Sequence, residues 1–254
     1  MGLQESGLRR RAERALERQL AYQQAKADRV NGREQEVVAA MIAHSNGVRR
    51  TLEAVRPIAD DARVLEVGSG AHGLIFYFGA KDGVGVDPLA DQYAKLFPAW
   101  QKRARTIAAP GERLPFEDAS FDIVLCDNVV DHAENPRLIL EEIARVMAPD
   151  AMLYFEVNIH HPFYHAAASV HAAWRAIGIP FEITPFADHT VHLTLPAARA
   201  LFQGLPLRVL SETDDVDEVK RQKPRPRHAG DRLKHLFFKN ARYEVIAVRE
   251  AAAG

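Results

Sequence analysis

From residue 63 onward, short apolar segments alternate with helical patterns along the chain. The segments are five to seven residues long, a length typical of strands rather than of helices. Such an alternation predicts a parallel sheet with helices on both faces, and nearly continuous apolar character fits strands that are buried on both sides. The four segments are 63–67, 83–87, 121–127 and 152–157, and the main helical patterns lie at 89–100 and 136–147.

The segments on either side of this alternation complete a predicted domain layout. Residues 1–60 contain two helical patterns, which we expect to form an N-terminal extension or cap; an oligomerisation arm is the alternative, and it would suit a homodimer. Residues 160–190 predict a helical cap insertion, followed by a helix and an antiparallel closing hairpin. We therefore expect residues 61–254 to form one α/β domain, with a Rossmann-like, doubly wound, mostly parallel seven-stranded sheet and an antiparallel last strand.

Composition excludes several classes of protein. The chain has 254 residues, 47% of them hydrophobic, which suits one large domain. The net charge of −1 provides no overall basic field for nucleic acid or membrane surfaces. Because Cys126 is the single cysteine, no internal disulfide or cysteine metal cluster can form, which fits a reducing, cytoplasmic setting. No apolar run is long enough to span a bilayer, and the first 20 residues lack the apolar core of a secretory signal.

A basic cluster at 220–228, KRQKPRPRH, is the one such cluster in the second half of the chain, and contact with nucleic acid is conceivable there. It directly follows the acidic stretch DDVDE at 214–218, so the local charges nearly balance. We interpret it as a solvated loop.

A glycine loop follows the first apolar segment, and a helical pattern follows the loop. Gly68, Gly70 and Gly73 match G-x-G-x-x-G, a pattern that permits a tight turn and close backbone approach to a ligand. A dinucleotide loop, a methyltransferase loop and a turn without ligand all remain compatible with it. Asp87 ends the next strand 17 residues beyond Gly70, where a carboxylate can bind ribose hydroxyls or cap the following helix.

Glu66, inside the strand before the glycines, favours S-adenosylmethionine over a dinucleotide. A carboxylate at this position would repel a pyrophosphate but attract the cationic methionine end of a methyl donor.

The downstream sequence GERLPFEDASFDIVLCDNVVDHAENPRLILEEIARVMAPDAMLYFEV carries the more specific signal. Its motifs are E-x-LPF at 112–116, SFD at 120–122, His132 and E-I-x-R-V-x-x-P at 142–149. Together they resemble the class I S-adenosylmethionine-dependent methyltransferases, in the small-molecule O-methyltransferase branch that includes sugar O-methyltransferases. The resemblance is strong over 63–157 and weak elsewhere.

The resemblance implies S-adenosylmethionine as cofactor and S-adenosylhomocysteine as product. The strand end and glycine loop would line the methionine part, and Asp87 would bind the ribose. Pro88, Leu89 and the 111–112 segment would lie beside the adenine. Asp127 and Asn128 would approach the methionine part or the sulfonium. The implied cofactor-binding residues are Glu66, Gly68, Ser69, Gly70, Asp87, Pro88, Gly111, Glu112, Asp127 and Asn128.

The chain departs from the family pattern in the turn after the predicted helix, where PGG reads Pro149-Asp150-Ala151, and at two positions near the expected cofactor. His72 stands where the family has a third glycine, so Gly73 would make the turn one residue later. We expect His72 at the start of the following helix, in contact with solvent or with the cap. Pro110 replaces an acidic residue, which leaves a side-chain contact to the adenine amino group open.

Histidines are the candidate general bases, because an imidazole titrates near neutral pH and can accept the proton of a hydroxyl acceptor. His132 follows the 121–127 strand, and the resemblance implies a base role at this place in some relatives. His189 and His192 are the next candidates; if their segment is extended, they point to opposite faces. The alternative for all three is that they pack or cap loops.

A divalent metal is compatible with the resemblance, because some sugar methyltransferases use one, but we do not favour it. Hard cations take oxygen ligands, and the carboxylates here are dispersed along the sequence. The candidate ligands would be Asp127, Asp131, Asn158, His160, His161 and Asp188.

The predicted function is methyl transfer to a hydroxyl group of a small polar molecule, with a sugar as the preferred acceptor. The pocket candidates are rich in His, Asp and Asn, whereas aromatic residues of the insertion, such as Trp174, would suit a phenol, quinone or lipid. The same motifs are also compatible with a nucleic-acid methyltransferase and with a non-catalytic S-adenosylmethionine-binding protein.

Overall fold

The computed structural model describes residues 17, 19–30, 32–133, 135–162, 191–222 and 240–251. Seven strands in this part of the chain form one sheet. They are β1 (Arg63–Val67), β2 (Asp82–Val86), β3 (Arg105–Ile107), β4 (Phe121–Asp127), β5 (Met147–Ile159), β6 (Leu207–Asp214) and β7 (Ala241–Arg249). Their order across the sheet is β3-β2-β1-β4-β5-β7-β6.

The strand directions confirm the predicted Rossmann-like sheet. Strands β1 to β5 pair in parallel, and β7 runs antiparallel between β5 and β6. The sequence pattern does not identify β3, because this strand has only three residues and none of them is fully buried.

Helices lie before, between and after the strands. Those described are α1 (19–30), α2 (Glu34–Glu53), α3 (Ala90–Leu96), α4 (Pro98–Gln101), α5 (Pro136–Val146), α6 (Leu195–Ala200) and α7 (Val216–Arg221), with 3-10 turns at Leu74–Phe76 and Val130–His132.

Two predicted helices differ in the structure. The single helix predicted over 89–100 is divided into α3 and α4, because Pro98 cannot continue a helix but is well suited to begin one. After the glycine loop, only the 3-10 turn Leu74–Phe76 forms. Two backbone N–H groups of this turn are held by the Glu66 carboxylate, which fixes the chain in a short turn.

Helices cover both faces of the sheet. On one face, α5 buries Ile139 and Ile143 in the core cluster that also contains Val124 of β4. On the other face, α2 buries Ser45, Val48 and Leu52, and its apolar side chains join the core that contains residues of β1 and β4. Within the described residues, α2 is therefore packed on the sheet itself. The predicted boundary at residue 60, between an N-terminal extension and the α/β domain, stays a prediction.

The predicted cap insertion at 160–190 lies outside the described residues except for 160–162. Among the helices that the structure describes, none has the length and apolar character needed to cross a bilayer.

Arg145 of α5 explains why the LPF and EIARV motifs occur together. Its guanidinium donates to the carbonyls of Leu114 (3.1 Å) and Phe116 (2.8 Å) and pairs with the carboxylates of Glu142 and Asp118. The Glu142 carboxylate in turn accepts the Leu114 N–H at 2.7 Å. These contacts attach the loop at 111–118 to α5.

We expect Arg145→Met to reduce the free energy of unfolding by about 2–3 kcal/mol, because two loop carbonyls and two carboxylates lose their donor. Urea unfolding at neutral pH would measure this loss. Arg113→Met, in an exposed side chain of the same loop, is the matched control and should change stability by less than about 0.5 kcal/mol. Equal losses in the two variants would contradict the proposed attachment of the loop.

Candidate active site

The glycine loop begins where β1 ends, and two of its glycines have left-handed backbone conformations. Gly68 has φ 71° and Gly70 has φ 51°. A Cβ atom on Gly68 would lie 2.3 Å from the Val129 side chain, so only glycine fits there. At Gly70, the nearest atoms to such a Cβ are at 3.8 and 4.0 Å, the second being an oxygen of Asp87. A small open cradle therefore lies between the loop and Asp87.

Asp87 follows β2 and connects this loop to the start of α3. Its two carboxylate oxygens accept the N–H groups of Gly70 (3.1 Å) and Leu89 (2.8 Å). Burial raises the pKa of Asp87, and these two hydrogen bonds and the charge of His132 oppose the increase. The bond from Leu89 closes a turn directly before the helix; because α3 begins at Ala90 with Leu89 as its N-cap and no side-chain cap, Asp87 does not have the capping role that the sequence suggested. Because each oxygen carries a second lone pair, the carboxylate can also accept hydrogen bonds from a ligand.

Glu66 is directed into the protein. Its carboxylate accepts the N–H groups of Leu74 and Ile75, both at 2.9 Å, and the residue is 2% exposed. Burial raises the pKa of Glu66 to about 8. Gly73 leaves room for this carboxylate, since a Cβ atom there would lie 2.4 Å from a Glu66 oxygen. With φ −59°, the backbone of Gly73 is not left-handed, so its turn does not require glycine.

His72 packs between aromatic side chains and is not at the start of an α-helix. Its ring centroid lies 4.9 Å from that of Phe97 and 5.4 Å from that of Trp100. Burial lowers the pKa of His72 to about 4, so the ring is neutral at pH 7. The Trp100 indole also donates to the Ala71 carbonyl at 2.8 Å. His72, Phe97 and Trp100 therefore pack together beside the glycine loop, and the bond from Trp100 holds the loop at Ala71.

A histidine that sequence reasoning missed lies at the carboxyl end of β4. The Nε2 atom of His44, on α2, is 2.7 Å from a carboxylate oxygen of Asp127. The His44 side chain is 45% exposed and that of Asp127 is 17% exposed. In the sequence, His44 is only one position on an amphipathic helix. Its contact with Asp127 depends on how α2 crosses the sheet, which the sequence does not give.

A row of polar groups continues from this pair across β5 and β7. The Tyr154 hydroxyl lies 3.0 and 3.1 Å from carboxylate oxygens of Glu156 and Glu244, and Arg242 is 3.7 Å from Glu156. Burial, followed by the charge of Asp127, raises the pKa of Glu156 to about 7.

An open groove of about 510 Å³ lies between α2 and this row. Its lining is mainly polar and includes His44, Gly47, Thr51, Tyr154, Arg242 and Glu244.

The predicted catalytic histidines occupy different surroundings. His132 is half-exposed, with Nε2 3.8 Å from the Asp131 carboxylate, and it is close enough to Asp87 to influence its pKa. His192 is 8% exposed, and its ring lies 5.0 Å from that of His160. His189 lies outside the described residues.

The remaining predicted cofactor residues have different surroundings. Ser69 is buried, and its hydroxyl faces Gly85. Gly111 packs against β1, where a Cβ atom would be 3.0 Å from Val67. The structure also brings Pro88 beside Asp87, Glu112 near the N–H of Asn135, and Asn128 against Asn158.

Metal ligands do not cluster in the described part of the chain. No group of three or more His, Cys, Asp or Glu side chains there is arranged to hold an ion.

Comparisons with known proteins agree with this architecture. The family model described as "Methyltransferase domain" matches residues 65–155. An uncharacterized protein of Methanocaldococcus jannaschii is 36% identical over 96 residues, which cover 38% of this chain and 44% of that protein. A malonyl-[acyl-carrier protein] O-methyltransferase of Halorhodospira halophila is 27% identical over 146 residues, or 55% of this chain and 48% of that enzyme.

The chain therefore spans just under half the length of these curated relatives. Among solved structures, the YcgJ protein of Bacillus subtilis superposes with a TM-score of 0.57 at 18% identity, over 83% of this chain and 100% of that one. At this identity the superposition supports the fold alone.

Proposed function

This chain belongs to the class I S-adenosylmethionine-dependent methyltransferases, and from that premise we propose that it transfers a methyl group to a hydroxyl of a small polar molecule. A sugar hydroxyl is the preferred acceptor, and a histidine at the carboxyl edge of the sheet is the general base. When bound, the cofactor supplies a methyl group activated by a positively charged sulfur.

Three features support the fit of this cofactor. The cradle at Gly70 is open toward Asp87, and the Asp87 carboxylate has lone pairs beyond those used by its two backbone partners. On the other side of β1, Asp127 provides negative charge at the end of β4, which would favour a cationic methionine end. Asp87 would therefore accept hydrogen bonds from the ribose hydroxyls, and Asp127 would attract the positively charged methionine end.

The groove beside Asp127 is the observation that carries the choice of acceptor. Its volume of about 510 Å³ is in the range of small-molecule sites, and its lining is mainly polar. An apolar quinone or lipid tail would leave the groups of this lining without hydrogen-bond partners, at a cost in affinity. An oxygen acceptor is also compatible with the relative named as an O-methyltransferase.

The test is an acceptor panel with methyl-labelled S-adenosylmethionine, with and without EDTA. We expect label transfer to sugars or other polyhydroxylated molecules, unchanged by EDTA. Transfer only to quinols, phenols or lipids would contradict the polar acceptor. Tight binding of S-adenosylhomocysteine in calorimetry without transfer to any acceptor would instead indicate a non-catalytic binding protein.

A further inference from the structure

The groove between α2 and the strands β5 and β7 has His44 on one side, and the ring of His44 contacts Asp127. Resting on the proposed methyl transfer, we propose that this groove is the acceptor site and that His44 is the general base. The role thereby moves from His132, which lies toward Asp87 and the expected ribose, to a residue of the N-terminal helix.

The geometry of the pair suits proton acceptance. With Nε2 2.7 Å from an Asp127 oxygen, the neutral ring donates its Nε2–H to that carboxylate and presents Nδ1 as an acceptor. Among the described residues, no hydrogen bond occupies Nδ1. A carboxylate that fixes one nitrogen while the other takes a proton is the arrangement that orients catalytic histidines in other enzymes.

The charges around the ring favour its protonated form. Asp127 and Glu156 face it from β4 and β5, and Arg242 faces it from β7. The hydrogen bond to Asp127 is the largest influence and raises the pKa of His44; burial and Arg242 act in the opposite direction. The imidazolium formed during the reaction is therefore stabilised by its surroundings.

The proton transfer balances with the methyl transfer. The acceptor hydroxyl gives its proton to Nδ1 of His44, and an oxygen lone pair forms the new bond to the methyl carbon. The electron pair of the broken carbon–sulfur bond stays on sulfur, which becomes the neutral thioether of S-adenosylhomocysteine. His44 then releases the proton to solvent, to which its side chain is 45% exposed.

Gly47 gives an independent way to test the groove. It lies one helical turn after His44 and lines the same groove, and a Cβ atom on it would meet no atom within 4 Å. Leucine at this position should fill part of the groove without a clash. Since glycine is a poor helix former and leucine a good one, the substitution should not weaken the fold.

The experiment compares five proteins: the wild type, His44→Gln, His132→Gln, Gly47→Leu and Asn46→Leu. Asn46 is exposed on α2 and does not line the groove, so Asn46→Leu is the matched control for Gly47→Leu. We expect His44→Gln to lower kcat about 100-fold while the Kd for S-adenosylhomocysteine stays within about threefold. His132→Gln should lower kcat far less than His44→Gln does.

Gly47→Leu should raise KM for the acceptor about tenfold or more, with an unfolding midpoint at or above that of the wild type. Asn46→Leu should leave KM unchanged. Full kcat in His44→Gln, or an unchanged KM in Gly47→Leu, would overturn the inference while leaving methyl transfer intact. A wild-type protein without transfer to any acceptor would overturn the proposed function itself.

Imidazole NMR gives a readout that does not depend on turnover. The His44 resonance should titrate at a higher pH in the wild type than in Asp127→Asn, and it should shift when S-adenosylhomocysteine is added. Identical titration curves in the two proteins would overturn the His44–Asp127 pairing and with it the assigned base.

Discussion

Asp87→Ala is expected to weaken the binding of S-adenosylmethionine about 100-fold. The carboxylate is the acceptor that ribose hydroxyls would meet at the end of β2, and hydrogen bonds to charged groups contribute about 1.5–3 kcal/mol each. A loss of about 2.7 kcal/mol corresponds to a factor of about 100 in Kd. The substitution also removes the acceptor of the Gly70 and Leu89 N–H groups, which would loosen the cradle. Calorimetric titration measures the change in Kd.

Asp91→Ala is the matched control, because it removes the same charge from an exposed position in the first turn of α3. Its Kd should stay within about twofold of that of the wild type. Asp87→Asn, which keeps one carbonyl oxygen, should give an intermediate Kd. If Asp87→Ala is folded by circular dichroism and binds as tightly as the wild type, Asp87 only connects the glycine loop to the turn before α3, and the proposed cofactor position is wrong.

The fold and the proximity of the glycine loop to Asp87 could be predicted because their signals are local in sequence. Apolar strand segments, the glycines at 68 and 70 and the acid at Asp87 each occupy one strand or the turn after it, and parallel strands bring their carboxyl ends to one edge. The chain order of these segments is therefore enough to place Gly70 beside Asp87. The structure bears this out with a direct hydrogen bond between them.

The contact between His44 and Asp127, on which the proposed acceptor site depends, could not be predicted in the same way. His44 and Asp127 are 83 residues apart, and their contact depends on where α2 crosses the sheet. The sequence pattern predicts α2, and the structure shows that this helix buries Ser45 and Leu52, but the pattern does not show which edge of the sheet lies beneath His44. The third glycine differs from its predicted role for a related reason: Gly73 makes room for Glu66, a requirement of packing that no local turn pattern reveals.

Glu66 should make the wild-type protein less stable as the pH rises from acidic to neutral values. Burial raises its pKa in the folded state to about 8 from an ordinary value of 4.5. The folded protein thus binds a proton that the unfolded chain releases, so stability falls as pH rises between about 4.5 and 8. At about 1.4 kcal/mol per pH unit, the loss amounts to several kcal/mol. Urea unfolding across this range measures the free energy of unfolding at each pH.

Glu66→Gln should be less stable than the wild type at the low end of this pH range and more stable at the high end. Below about pH 5, glutamine should be less stable by about 1–2 kcal/mol, because its NH₂ group cannot accept the second of the two N–H bonds from Leu74 and Ile75. Near pH 8 it should be the more stable protein, because it carries no charge to bury. Glu117→Gln, at an exposed position, should keep the pH dependence of the wild type.

A wild-type protein whose stability does not fall over this range, with Glu66→Gln less stable at every pH, would mean that Glu66 is ionised in the fold. In that case the two N–H bonds would outweigh the cost of burying the charge. Glu66 would then carry a negative charge at neutral pH, between Asp87 and Asp127 along the edge where the cationic cofactor is expected. The measurement therefore decides between a carboxyl group that only holds the 3-10 turn and one that also contributes to the field of the cofactor site.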